Sequence, residues 1–189
     1  VNSDFLIYEK LNTKSNDKYE FIFPKVELTK NLDNKTYLNG DFKFKSNNYI
    51  HNYNTNIHER VNSNNLIFES IPKITKNGFY NNYEFIIKNT NTNSQKSKLN
   101  KEGEDFYFSG LFQFNSSYPL IKKSSTRRSL LRPKLSAKFS PGHTKDLSKE
   151  EYILDVDNIF NLNRISSEET LESGLSITYG TDYIVNDEN

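Results

Sequence analysis

Cysteine, methionine and tryptophan are absent from the 189 residues, and alanine occurs once, at Ala137. Without cysteine there is no disulfide scaffold, no thiolate-bound zinc or iron–sulfur centre and no thiol nucleophile. Without a start methionine, and with Val1 first, the chain is expected to be a fragment or a processed product. No apolar run exceeds four residues, which excludes a transmembrane helix. Asp4, Glu9 and Lys10 break up the one apolar stretch near the start, so residues 1–30 hold no secretion signal. Neither point bears on a membrane β-barrel, whose strands alternate and escape hydropathy windows. The net charge of +1 is too balanced for electrostatic steering of the whole molecule.

What is present is asparagine (27), lysine (20, against 5 arginines) and aromatics, with 14 Phe and 12 Tyr. The Asn and Lys surplus has the look of an AT-rich genome. Leu, Ile, Val and Phe total 51, enough for an ordered chain. Aromatic richness with almost no alanine favours strands over helices.

Alternation with a period of two is the main signal. In 36–46, Leu38, Gly40, Phe42 and Phe44 oppose Asn39, Asp41, Lys43 and Lys45. In 104–115, Phe106, Phe108, Gly110, Phe112 and Phe114 share one face, opposite Tyr107, Ser109, Leu111, Gln113 and Asn115. In 132–140, Pro133, Leu135, Ala137 and Phe139 oppose Arg132, Lys134, Ser136 and Lys138. In 174–184, Leu175, Ile177, Tyr179 and Tyr183 oppose Ser176, Thr178 and Asp182. Weaker strands are expected at 4–11, 18–30, 58–72 and 78–91. That makes about eight strands, most of them longer than the usual five to six residues and as long as a tilted membrane strand. Short turns at 31–34 and 72–77 (117–127 being longer) face expected long links at 12–17, 51–57, 92–103 and 141–169. This one-sided pattern is that of outer-membrane barrels. Asn52–Asn56 and Asn89–Ser94 read as polar loops.

Catalytic signals are sparse. His51 and His58, seven apart, would point to opposite faces of one strand and share no metal; exposed loop positions are expected for them. No nucleophile elbow, P-loop or dinucleotide fingerprint occurs. Asp155-Val156-Asp157-Asn158 resembles a calcium loop only faintly, lacking the turn glycine and the closing glutamate in place. Glu150-Glu151 and Glu168-Glu169 are adjacent pairs whose side chains point apart on an extended chain.

From Ser116 to Lys145 there is no acid but eight cations, among them Lys122, Lys123, Arg127 and Arg128; from Asp146 to Glu172 acids dominate. A nucleic-acid patch is disfavoured by those neighbouring acids and the neutral total. A barrel wall lined with cations, or a solvated turn followed by an acidic loop, both fit.

Residues 117–183 carry a resemblance. Ser117-Tyr118-Pro119-Leu120-Ile121-Lys122, then Leu131-Arg132-Pro133-Lys134-Leu135, then Phe139-Ser140-Pro141-Gly142, then Leu154 to Arg164, and Glu172-Ser173-Gly174 before Thr178-Tyr179-Gly180 resemble the C-terminal barrel of the lipopolysaccharide-assembly outer-membrane protein family, LptD, in its alphaproteobacterial form. Phe23-Pro24-Lys25-Val26 resembles a strand start of that family. The resemblance implies an all-β chain, an antiparallel transmembrane β-barrel segment of about eight strands from a larger barrel. It implies lipopolysaccharide as passenger, a plug lipoprotein of the LptE type and a periplasmic bridge protein as partners, and the cell outer membrane as location. No catalysis, cofactor or nucleic acid is implied. It further implies that 155–164 belongs to a long extracellular loop folding over the barrel mouth. There Arg164 would pair with Asp157 or Glu172 as a loop latch. Combined with the alternation, the expected lumen face is Asn39, Asp41, Lys43, Lys45, Arg132, Lys134, Lys138, Ser176 and Thr178. The expected lipid face is Leu38, Phe42, Phe44, Phe106, Phe108, Phe112, Phe114, Leu135, Phe139, Leu175, Ile177 and Tyr179. A generic porin or receptor barrel, and a soluble β-sandwich binding module, remain as alternatives.

Overall fold

The computed structural model describes residues 1–11, 19–32, 38–53, 57–97, 100–124, 126–143, 154–165 and 170–187. Ten strands form one sheet: β1 (Asn2–Glu9), β2 (Tyr19–Leu32), β3 (Gly40–Tyr53), β4 (His58–Ser70), β5 (Lys73–Ile74), β6 (Tyr80–Gln95), β7 (Gly103–Ser117), β8 (Leu120–Lys123), β9 (Arg127–Ser140) and β10 (Gly174–Asp187). The order is β1-β2-β3-β4-β6-β7-β9-β10, antiparallel throughout, with β5 beside β6 and β8 beside β9. The chain is all-β and the sheet is not closed. The eight long strands match the expected ones. The two short strands lie in what reads from the sequence as turns, at 72–77 and 117–127.

The cross-strand register shows why the alternation matters. Leu32, Phe42, Phe68, Phe85, Phe112, Phe139 and Leu175 are successive partners across seven strands. Directly opposed residues point to the same side, so this row lies on one face, here called the open face. Phe68 is buried there under neighbouring rings, with centroids 4.6 Å from Phe42 and 5.1 Å from Phe85. Toward β7 and β10 the face opens to the surroundings: Phe106 is 67% exposed, Ile177 68% and Tyr179 86%. No second sheet covers it among the described residues.

The other face, here called the covered face, is polar but not uniformly so. Ile86 and Leu111 are buried on it, together with Leu171 from the β9–β10 connection, and Ile67 and Leu162 pack against them. The run Leu66-Ile67-Phe68 breaks the alternation for this reason: Leu66 and Phe68 serve the open face, Ile67 the covered one.

Four expectations are corrected. Asn89–Ser94 is strand, not loop: it runs inside β6 and pairs with both β4 and β7. Flanking strands on both sides satisfy its backbone, which outweighs the low strand propensity of asparagine. Asn89, Asn91 and Asn93 join a polar array on the open face, where Asn64 donates to Asn62 at 2.7 Å and Asn91 to Asn89 at 2.9 Å, while Thr90, Thr92 and Ser94 are buried on the covered face. The expected long link at 51–57 is also shorter, because β3 runs to Tyr53, whose N–H bonds Ile57 O at 3.1 Å. The one-sided pattern of loop lengths therefore does not hold: the long connection is the one between β9 and β10. Asn39 precedes β3 and lies outside any strand; its carbonyl accepts from the Ile71 N–H at 3.0 Å. The expected link at 12–17, the charges from Lys145 to Glu151 and the Glu168-Glu169 pair lie outside the described residues.

Candidate functional site

Asp41, Lys43 and Lys45 on β3, Arg132, Lys134 and Lys138 on β9, and Ser176 and Thr178 on β10 all share the covered face, linked by the register. They form two groups, not one. β4, β6 and β7 separate the β3 residues from those of β9 and β10.

The β9–β10 group is engaged by the chain's own connection. Segments 154–165 and 170–173 lie on the covered face, where a loop folding over a barrel mouth was expected. Gln113 Nε2 donates to Phe160 O at 2.8 Å, and the Leu171 N–H to Tyr107 Oη at 3.2 Å. Lys138 Nζ donates to Asn161 O and lies 3.2 Å from Glu172 Oε1. Arg164 Nε donates to Glu172 Oε2 at 2.7 Å, and its Nη2 to Ser176 Oγ at 3.2 Å. Glu172 thus sits between two cations, one from the sheet and one from the connection. The expected alternative partner Asp157 is elsewhere: its N–H, like that of Asn158, donates to Asp155 Oδ1 at 3.0 Å.

A second contact layer lies toward the other end of β9. Arg132 Nη2 donates to Asp182 Oδ2 at 2.6 Å, and Lys134 Nζ lies 2.8 Å from Asp182 Oδ1. Lys134 also stands 4.5 Å over the Phe160 ring. Gly180 admits that ring: a Cβ there would come within 3.1 Å of it. Lys43 and Lys45 have no carboxylate within salt-bridge distance among the described residues.

One cluster escaped the sequence. His51 is buried, not in an exposed loop, with Nε2 2.6 Å from Glu20 Oε1 and Nδ1 3.1 Å from Glu59 Oε2. Ser97 donates to the other oxygen of Glu59. Three strands contribute, so only the β3–β4 register would have brought His51 opposite Glu59. His58 is on the next strand and the opposite face, 2.7 Å from Asn52 Oδ1. With a carboxylate beside each ring nitrogen of His51, the cluster is a polar tie between strands; among the described residues no group of His, Asp and Glu is arranged to hold a metal ion.

No protein-family model matches the chain, and no curated protein matches it in sequence.

Proposed function

We propose that this chain is a segment of an outer-membrane β-barrel that passes lipopolysaccharide to the outer leaflet. The observation that carries the membrane part is the open face. β7, β9 and β10, of 14–15 residues, present exposed Phe, Leu, Ile and Tyr there, with no second sheet against them among the described residues. That length exceeds the roughly 9–11 residues a tilted strand needs to cross a bilayer. A sandwich would bury such a face in a core. The open edges at β1 and β10 are where further strands of a larger barrel would pair.

The lipopolysaccharide part is supported by the resemblance of 117–183 and by the cations of the polar face. In this reading Lys43 and Lys45 offer charge-assisted contacts to phosphates and acidic sugars. Arg132, Lys134 and Lys138 are held by Asp182 and Glu172 and serve the fold of the connection first. The passenger would move without any covalent change, which makes the chain a carrier in partnership with a plug lipoprotein and a periplasmic bridge protein. The test is a photoactivatable residue in place of Lys43 or Lys45 in the complete protein in its own cells. Crosslinks to lipopolysaccharide at those positions, and fewer from Gln113 beneath the connection, are expected; an absence of lipopolysaccharide adducts from both lysine positions would reject this role.

A further inference from the structure

Two connections at the sheet end opposite the β9–β10 connection are 71–79 and 118–126, the second described at 118–124 and 126. They touch: the Phe79 and Tyr118 rings are 5.0 Å apart, and Gly78 lies against Tyr118. Together with the start of β9 they carry Lys73, Lys76, Lys122, Lys123, Arg127 and Arg128, all exposed, and no carboxylate. Arg127 stands opposite Asp187 in the register, so the surplus rests on the other five. The same rim exposes Ile71, Ile74, Phe79, Leu120 and Ile121. Beside β8 the open face ends in a groove lined by Leu120, Lys122, Ser129, Leu131 and Tyr183. Its register rows, Leu120–Leu131–Tyr183 and then Lys122–Ser129–Val185, step from apolar to cationic.

We infer that this rim docks on a membrane leaflet of anionic phospholipid, with the groove beside β8 taking a headgroup phosphate. The inference rests on the membrane reading above and adds which end of the sheet meets which surface. Apolar and aromatic side chains at the rim suit the boundary between acyl chains and headgroups, where such residues anchor proteins. Cations just beyond them meet the negative surface potential, each strengthening binding roughly fivefold. A nucleic acid would find the cations but leave the five apolar side chains in water. The opposite end shows no such surplus among the described residues: in its β6–β7 and β9–β10 connections Lys96, Lys101 and Arg164 are offset by Glu102, Asp155, Asp157 and Glu172. The two ends of the sheet are therefore electrostatically unlike.

The test uses the complete protein that contains these 189 residues and sealed vesicles, one set of phosphatidylcholine alone and one with a third phosphatidylglycerol. Three forms are compared: unaltered, Lys122→Gln with Lys123→Gln, and Lys96→Gln with Lys101→Gln as a matched loss of charge at the other end. All four lysines are exposed, and strand content by circular dichroism checks that each form folds alike. The unaltered chain should bind anionic vesicles at least tenfold better than neutral ones. The 122/123 form should lose most of that preference, and the 96/101 form should keep it. Equal binding to both vesicle types, or equal loss in both variants, overturns the inference while leaving the membrane reading intact. A folded chain that binds neither vesicle type overturns both.

Discussion

Glu172 accepts from Arg164 Nε at 2.7 Å on one carboxylate oxygen and faces Lys138 Nζ at 3.2 Å on the other. The Lys138 side chain is 3% exposed. A buried ion pair adds little net stability, but removing one partner leaves the other charge stranded. Glu172→Gln should therefore weaken docking of the connection by about 3 kcal/mol. That corresponds to about a hundredfold faster trypsin cleavage after Arg164. Adding Lys138→Met should recover part of the loss, since the stranded cation goes with it. Unchanged cleavage in Glu172→Gln would mean that the apolar contacts alone hold the segment.

Those apolar contacts make their own prediction. Leu171 is fully buried against Ile86 and Leu111. Leu171→Ala should lower stability to urea, measured in detergent, by about 2–5 kcal/mol. Ile177→Ala, on the open face, should change it by about 0.5 kcal/mol or less under the same conditions. Equal losses at the two sites would show that the open face is packed against protein.

The absence of tryptophan gives a direct probe of the two faces. A single tryptophan placed by Phe108→Trp should be quenched by lipids brominated on their acyl chains. One placed by Tyr107→Trp, its neighbour on the covered face, should not. The same chain in water-soluble, lipid-free form with an unquenched Phe108→Trp would return the sandwich alternative to consideration.

Period-two alternation is local, so the strands and their two faces were legible before any contact was known. Phe106 to Phe114 and Leu175 to Tyr179 lie where the alternation puts them, as do Lys43, Lys134 and Thr178. Strand ends at the asparagine-rich stretches were not legible. Asn89–Ser94 becomes strand only because β4 and β7 flank it, and neither neighbour is close in sequence.

The amino-acid sequence by itself determined an all-β chain of long strands with one aromatic face and one polar face, because side-chain direction follows from the pleat alone. The resemblance of 117–183 placed Glu172 among the candidate partners of Arg164. The tertiary structure decided which candidate it was, and that the β9–β10 connection lies along the sheet instead of standing away from it. It also decided that Leu111 and Tyr107, which look misplaced on a polar face, have Leu162 and Leu171 to pack with. The His51–Glu20–Glu59 tie is of the same kind. Each of these depends on register between strands and on contacts such as Gln113 with Phe160, 47 residues apart. No local pattern encodes that pairing; it is set by which arrangement buries the apolar groups while leaving the fewest charges and amides without partners.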